Sequence, residues 1–129
     1  MSVEARLAFL AAEYDLPDGA VERFERLLAA LEAEPDPYTA ISEPAAAVDR
    51  HVADSLSALQ LEPARKAHSL VDIGSGAGFP GLPLAIALPG TRVKLVEAAA
   101  RKCAVIERLA EAAGLQNTRV VPLRAEEVG

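Results

Sequence analysis

A glycine-rich stretch, DIGSGAGFPG from Asp72 to Gly81, constrains this 129-residue chain more than any other feature. It follows a short apolar run, Ser69 to Ile73, and precedes a second one, Leu82 to Leu88. Glycine permits backbone conformations and close approaches that side chains forbid, so glycines at a strand-to-helix junction are typical of a loop that borders a ligand. The alternative interpretation is a tight turn whose glycines serve packing alone.

The apolar periodicity around this stretch predicts alternating strands and helices. Strands are expected at Ser69–Ile73, Arg92–Val96 and Thr118–Leu123, and helices at Leu82–Leu88 and Ala98–Ala113 with Gly114 as C-cap. A β-α-β-α-β order predicts a parallel sheet with right-handed crossovers. The third predicted strand contains Pro122, which has no backbone N–H, so we expect it at an edge of the sheet.

The first 60 residues show helical spacing. Helices are expected over Ser2–Glu13, after an N-cap at Asp18, and from Pro44 onward, with a break at Glu34–Pro37. The residues expected to face inward are Leu7, Phe9, Leu10, Val21, Phe24, Leu28, Leu31, Val48, Val52, Leu56 and Leu59. We therefore divide the chain into a helical segment, residues 1–62, and an α/β unit, residues 63–129.

The charge is uneven along the chain. The formal net charge is −6, and residues 1–68 carry −7 of it while residues 69–129 carry +1. This balance disfavours a purely electrostatic nucleic-acid binder and puts any anion-handling surface in the second half. The single cysteine, Cys103, cannot form an internal disulfide, and no signal peptide or membrane span is visible. A soluble cytoplasmic protein is the expectation.

Two glycine spacings overlap in the loop, Gly74-x-Gly76-x-Gly78 and Gly76-x-Gly78-x-x-Gly81. The second matches the dinucleotide fingerprint, but that fingerprint begins directly after the strand, and here the strand runs into Gly74. Counted from Gly74, Phe79 occupies the place of the third glycine. Glu97 ends the second predicted strand, where its carboxylate can accept hydrogen bonds from both ribose hydroxyls. The pattern, with Asp72 before the glycines, favours a nucleoside without pyrophosphate, such as S-adenosylmethionine.

The segment "LVDIGSGAGFPGLPLAIALPGTRVKLVEAAARKCAVIERLAEAAGLQNTRVVPLRAEE" resembles the RsmG family, also called GidB. These are bacterial small-subunit (16S) ribosomal RNA guanine-N7 methyltransferases that use S-adenosylmethionine. "YTAISEPAAAVDRHVADSLSAL" is similar to the segment that precedes the sheet in that family. The resemblance implies a Rossmann-like methyltransferase fold, of which residues 63–129 supply the first three parallel strands, and rRNA or a small-subunit precursor as partner.

By the same resemblance, Gly74 and Phe79 contact the cofactor and Glu97 holds its ribose. Ala125 and Glu126 are expected beside the adenine, and Gly76 and Gly78 complete the loop. Family members are usually longer, with seven strands. The 129 residues alone are therefore expected not to methylate RNA, to leave the first strand as an open apolar edge, and to self-associate or be partly molten.

The chemistry implied by the resemblance does not depend on a catalytic side chain. Guanine N7 carries a lone pair and no proton, so no general base is needed and no catalytic residue or metal ligand is expected. His51, Asp54 and Ser55 lie at i, i+3 and i+4 of a helix and share a face, either as a polar wall for the substrate or as a structural cluster. A nicotinamide-dependent oxidoreductase and a non-enzymatic scaffold are the alternative functions.

Overall fold

The computed structural model describes residues 2–34 and 44–127. Helices α1 (Val3–Glu13) and α2 (Ala20–Ala33) come first. A continuous helical run follows: α3 (Pro44–Ala47), a π-helix (Val48–Ala53), α4 (Asp54–Leu56) and a 3₁₀ turn (Ser57–Gln60). The remaining elements are α5 (Glu62–Lys66), β1 (Ser69–Ile73), α6 (Gly81–Ala87), β2 (Arg92–Val96), α7 (Ala100–Ala112), β3 (Thr118–Val121) and a final 3₁₀ turn (Ala125–Glu127).

The three strands form one parallel sheet in the order β1-β2-β3. Ser69 pairs with Arg92 at the start of β1, and Val93 pairs with Thr118 at the start of β3. The predicted strand positions, the parallel sheet and the edge position of β3 are confirmed. The third strand ends at Val121, so Pro122 follows it rather than lying within it.

Helices α6 and α7 cover one face of the sheet. A Cβ on Gly81 of α6 would meet Leu95 of β2 and Asp72 of β1, which identifies the face that these two residues share. Side chains alternate along a strand, so Val71 and Lys94 lie on the opposite face. Both are exposed, which leaves that face open among the described residues.

The N-terminal helices pack on the outer side of α6 and α7, because α2 contacts both and α4 contacts α6. Their inward residues join those of the α/β unit in one hydrophobic core, which crosses the proposed boundary at residue 62. The C-terminus of α2 is also tied to α7, since the Arg108 guanidinium donates to both Glu34 carboxylate oxygens, at 2.7 and 3.1 Å. That ion pair and its hydrogen bonds hold the pKa of Glu34 below its ordinary value.

Several helix details differ from the sequence prediction. Phe9 is 63% exposed, because the inward stripe of α1 is only Leu7 and Leu10. The N-cap of α2 is Gly19, with φ +85° and no side-chain bond, so Asp18 does not cap it. Within α2 the buried stripe is rotated by one residue: Ala20, Phe24, Leu27 and Leu31 are buried, while Val21 and Leu28 are half-buried.

Other boundaries shift slightly. Helix α6 begins at Gly81 with Pro80 as its N-cap, and α7 covers Ala100–Ala112. The C-terminus of α7 matches the expected glycine cap: Gly114 has φ +70°, and the Leu115 N–H donates to the Ala110 carbonyl in a Schellman motif.

Residues 35–37 of the predicted break lie outside the described residues. None of the described helices has both the length and the apolarity of a membrane span.

Candidate functional site

The glycine loop leaves β1 at the carboxyl end of the sheet and is held there by the next strand. The Gly74 and Ser75 N–H groups both donate to the Val96 carbonyl, at 2.8 and 3.1 Å. Gly74, Gly76 and Gly78 all have positive φ, +73°, +60° and +96°. This left-handed backbone is costly for side-chain-bearing residues, so the three alternating glycines are required by the path of the chain.

The four glycines of the stretch divide into two pairs. A Cβ on Gly74 or Gly76 would meet nothing within 4 Å. A Cβ on Gly78 would lie 2.5 Å from Leu82 Cδ1, and one on Gly81 would lie 2.7 Å from Leu95 Cδ2. Gly78 and Gly81 therefore let α6 approach the loop and sheet closely, while Gly74 and Gly76 border open space.

Asp72 fixes the loop to the helix from beneath. Its Oδ2 accepts the Gly81 N–H at 2.9 Å, and its backbone carbonyl accepts the Ser75 hydroxyl at 3.0 Å. Burial raises the pKa of the Asp72 carboxyl, and hydrogen bonding of the carboxyl by the Gly81 N–H, and then by the Ser75 side chain, opposes that rise. Asp72 therefore positions the glycine loop and the start of α6 relative to β1. The Gly81 contact was not predicted from the sequence.

Glu97 lies directly after β2, and its carboxylate bridges two loops. Oε1 accepts the Gly76 N–H at 3.0 Å and Oε2 accepts the Ala99 N–H at 2.9 Å. The Ala99 bond is the largest of several causes that lower the pKa of this carboxyl, so it is ionised at neutral pH. Each carboxylate oxygen can accept more than one hydrogen bond, so Glu97 keeps acceptor capacity while holding the loop.

Cys103 supports Glu97 from the first turn of α7. It is buried, as expected for a core thiol, and its Sγ donates to the Glu97 carbonyl at 3.1 Å. Burial and then the negative charges of Glu97 and Glu107 raise the pKa of the thiol. A protonated thiol in this place is suited to packing and not to nucleophilic chemistry.

His51, which lies in the π-helix, contacts the glycine loop. Its ring lies 4.9 Å from that of Phe79, centroid to centroid, at an angle of 38°. The residue is 8% exposed, and its buried Nε2 has no hydrogen-bond partner among residues 2–34 and 44–127. Burial and the nearby Arg50 charge lower the pKa of His51, which favours the neutral imidazole.

The predicted polar face of His51, Asp54 and Ser55 is altered by the π-helix. The Asp54 N–H donates to the Asp49 carbonyl, five residues back, so the spacing is no longer that of a regular α-helix. Ser55 is buried, but its hydroxyl donates to the backbone carbonyl of His51 and not to a neighbouring side chain. Asp54 is exposed. His51 contacts the glycine loop through its ring, which packs against Phe79.

Ala125 and Glu126 come after β3 in a 3₁₀ turn, on the chain segment that leaves the same end of the sheet. The Glu126 side chain is exposed. Within residues 2–34 and 44–127, no group of three or more His, Cys, Asp or Glu side chains is arranged to hold a metal ion.

A separate polar cluster lies at the amino end of the sheet and was missed by the sequence analysis. The Asn117 side-chain amide donates to the carbonyls of Ala85, Leu88 and Thr91 at 2.8–3.1 Å. A cavity of about 240 Å³ lies beside it, lined in part by Asn117 and Arg23. No sequence pattern marks this cluster, because its acceptors are backbone atoms 26–32 residues away.

The fold and the loop define the class of protein. The structure is similar to a solved protein-L-isoaspartate O-methyltransferase, with a TM-score of 0.55 and 18% identity over 94% of this chain and 42% of that one. The architecture is therefore that of a Rossmann-like methyltransferase, as predicted. A family model described as rRNA small subunit methyltransferase G matches residues 20–129, and the chain belongs to that family.

Curated relatives named ribosomal RNA small subunit methyltransferase G agree with this assignment. The relative from Carboxydothermus hydrogenoformans is 34% identical over 98% of this chain and 55% of its own length. Those from Sorangium cellulosum and Pelotomaculum thermopropionicum are 46% and 42% identical over 70% of this chain and 38% of their own lengths. The chain thus spans between about two fifths and somewhat more than half of these relatives.

Proposed function

We propose that this chain carries the cofactor-binding part of an S-adenosylmethionine-dependent methyltransferase whose acceptor is guanine N7 in 16S ribosomal RNA. The observation that carries the proposal is the pairing of the positive-φ glycine loop with an ionised Glu97 at the carboxyl end of neighbouring strands. In open α/β sheets, ligands bind outside the carboxyl ends of the strands. A cytoplasmic location and a small-subunit precursor as partner belong to the same proposal.

The described residues fit a nucleoside cofactor. The open space at Gly74 and Gly76 admits a ligand against the backbone, and Phe79 borders the same loop. The Glu97 carboxylate has acceptor capacity left for ribose hydroxyls. Gly78 contributes by keeping the loop against α6, and we assign Ala125 and Glu126 to the adenine end of the site.

The reaction needs positioning more than acid–base chemistry. The cofactor supplies a methyl group already activated by a sulfonium. Guanine N7 offers its lone pair without losing a proton, so the protein has to hold acceptor, methyl carbon and leaving sulfur nearly in line. No catalytic side chain is proposed among the described residues, and the neutral, protonated Cys103 thiol takes no part.

His51 is our candidate for the substrate wall. An unpartnered buried nitrogen costs stability, commonly about 1–3 kcal/mol, so packing alone does not account for a histidine at this place. A phenylalanine would fill the same contact with Phe79 without that cost. We assign Asp54 a weaker role at the same wall and Ser55 a structural one, because the Ser55 hydroxyl is used by the helix backbone.

The nicotinamide alternative is disfavoured by the register of the loop. Gly74 follows β1 directly, and Phe79 stands where a dinucleotide fingerprint has its third glycine. A non-enzymatic scaffold would share the fold but would not require open space at Gly74 and Gly76.

Equilibrium titration with labelled S-adenosylmethionine and with NADH, each to millimolar concentration, separates these functions. The proposal expects saturable S-adenosylmethionine binding that S-adenosylhomocysteine competes away and NADH does not. Preferred NADH binding supports the oxidoreductase, and absence of binding to both supports the scaffold. Methyl transfer to undermodified small-subunit RNA by a full-length version of the protein, mapped by nucleotide, tests the acceptor separately.

A further inference from the structure

His51 carries a polar atom that the described fold does not use. The residue is 8% exposed, and its Nε2 has no hydrogen-bond partner among residues 2–34 and 44–127. The atom is enclosed, so its lack of a partner does not come from an open edge or face of the sheet. Buried nitrogens in proteins are nearly always hydrogen-bonded, and an exception calls for a functional or structural explanation.

The π-helix Val48–Ala53 is a second unusual feature at the same residue. Turns of this kind are rare and occur frequently at functional sites. The Ser55 hydroxyl holds the backbone of this turn by donating to the His51 carbonyl. The imidazole then packs against the Phe79 ring, with 4.9 Å between the centroids. The π-helix and the unpartnered nitrogen therefore meet beside the glycine loop.

The order of the strands indicates which part of the cofactor reaches this place. In the proposed site, Ala125 and Glu126 border the adenine after β3, and Glu97 holds the ribose after β2. The sheet order is β1-β2-β3, so a ligand that runs from β3 to β2 continues toward β1. Two strand spacings amount to roughly 10 Å. The amino-acid end of S-adenosylmethionine leaves the ribose on the side away from the adenine, and so comes to the loop after β1, where Phe79 and His51 lie.

The chemistry of the imidazole suits the carboxylate of that amino-acid end. Burial and the nearby Arg50 charge lower the pKa of His51, and the neutral ring can carry its proton on Nε2 and donate it. Hydrogen bonds to an ionised acceptor are shorter and stronger than those between neutral groups. Arg50 is exposed and adds positive charge beside the ring. A carboxylate is thus a better partner for this nitrogen than a neutral group.

We propose that His51 Nε2 donates a hydrogen bond to the methionine carboxylate of S-adenosylmethionine. This inference rests on the proposed cofactor function and assigns a residue to the end of the cofactor that had none. Nε2 is shielded in this structure, so the half-buried Phe79 ring, which packs on the imidazole, turns aside when the ligand enters. The sulfonium lies between the ribose and the amino-acid end, so the same residue also borders the path of the acceptor base.

Titration of the chain with S-adenosylhomocysteine and with 5′-methylthioadenosine tests this contact. Both ligands carry the adenosine and the sulfur, but only S-adenosylhomocysteine has the amino-acid carboxylate. The wild type is expected to prefer S-adenosylhomocysteine by about tenfold or more, the effect of one hydrogen bond to a charged group. His51→Phe keeps the ring contact with Phe79 and should lose most of that preference, with the affinity for 5′-methylthioadenosine unchanged.

Two further variants separate the hydrogen bond from packing. His51→Gln keeps a side-chain N–H donor and is expected to restore part of the preference that His51→Phe loses. His68→Gln changes the exposed histidine before β1 and is the matched control, expected to bind both ligands like the wild type. His51→Phe should be at least as stable as the wild type in denaturant unfolding, because it buries no unpaired nitrogen.

Nitrogen NMR of the histidine rings gives a readout that a packing role would not move. The chain has two histidines, so His68 is an internal reference. S-adenosylhomocysteine should shift the His51 Nε2 signal saturably, and 5′-methylthioadenosine should shift it much less. If neither ligand binds, the proposed cofactor function fails and this inference with it. If both bind, and His51→Phe keeps the wild-type preference or the His51 signal responds equally to both, the His51 contact is overturned while the cofactor function stands.

Discussion

At the carboxyl end of the sheet, the Glu97 carboxylate keeps hydrogen-bonding capacity beside open space, whereas at the amino end the Asn117 and Thr91 side chains donate to backbone carbonyls of the fold. Glu97 accepts one N–H on each oxygen and can accept more, and Gly76 faces open space. At the amino end, Asn117 donates to three carbonyls and Thr91 donates to the Ala67 carbonyl. Both ends contain a positive-φ glycine, so the glycine itself does not distinguish a ligand loop from a structural turn.

A cavity by itself does not mark a ligand site in this fold. The 240 Å³ cavity lies at the amino end, beside Asn117 and Gly114. Two of its polar side chains are committed to the fold: Asn117 donates to backbone carbonyls, and Arg23 donates to the Gly114 carbonyl at 2.8 Å. The carboxyl end has the ionised acceptor and the open glycines, and it is where ligands of open α/β sheets bind.

Substitution of the loop glycine gives the largest expected effect on binding. Gly76→Val places a β-branched residue at φ +60° and should abolish S-adenosylmethionine binding while helical content is kept. Gly76→Asn separates backbone strain from ligand space, because asparagine tolerates this conformation. It should fold normally and still lose most affinity in calorimetry.

Gly114→Asn is the matched control at the other end, with φ +70° and only a 3.9 Å contact to Arg23. It should bind like the wild type. If Gly76→Asn binds as well as Gly114→Asn does, the carboxyl-end loop is only a turn.

Asn117→Ala should produce the largest loss of stability. Two N–H donors shared among three carbonyls are removed at once, and at about 0.5–1.5 kcal/mol per hydrogen bond the expected cost is roughly 1–3 kcal/mol. Denaturant unfolding measures it, with exposed Gln116→Ala as a control expected to stay within about 0.5 kcal/mol of wild type. Cofactor affinity of the folded fraction should be unchanged, and a selective loss of affinity would move the site toward the amino end.

Glu97→Ala, in contrast to Asn117→Ala, should act mainly on cofactor affinity. Loss of a charged hydrogen-bond acceptor costs about 1.5–3 kcal/mol, so S-adenosylmethionine affinity should fall about tenfold or more. Glu97→Gln keeps one carbonyl acceptor and should lie between Glu97→Ala and wild type. Exposed Glu107→Ala on α7 controls for net charge. Unchanged affinity in Glu97→Ala by calorimetry would remove Glu97 from the site.

The smallest effect is a pH dependence of the Gly76–Glu97 bond. The pKa of Glu97 lies below its ordinary 4.5, so this contact contributes stability above pH 4.5 and loses it as the pH falls through the lowered value. Asp72 has the opposite sign: its pKa is raised above 3.8, so its contribution is present below pH 3.8 and declines as the pH rises through the raised value. The Gly76 amide proton shift should therefore titrate below pH 4.5, and Glu97→Gln should remove that step.

The parts of the fold that depend on local pattern could be predicted from the sequence. The strand starts, the parallel order and the inward residues Val48, Val52 and Leu56 follow from side-chain periodicity. Glu97 could be placed because strand ends of a parallel sheet meet at one edge. Its contact with Gly76 then follows from the fold.

The rest depends on contacts that periodicity does not encode. The π-helix around His51 is a shift in backbone hydrogen bonding, which leaves the apolar pattern intact and changes which side chains share a face. The Asn117 cluster and the close approach of Gly81 to Leu95 join residues that are distant in sequence. The prediction that Phe9 faces inward was wrong, because an apolar residue at helical spacing need not be buried.

Amide chemical-shift mapping during titration with S-adenosylmethionine locates the ligand site on the fold, because it reports both ends of the sheet in one experiment. We expect saturable shifts at the Gly74, Gly76 and Glu97 amides, with the Gly114 and Asn117 amides unmoved. Shifts confined to Gly114 and Asn117, or no saturable shift at the glycine loop at millimolar ligand, would contradict it.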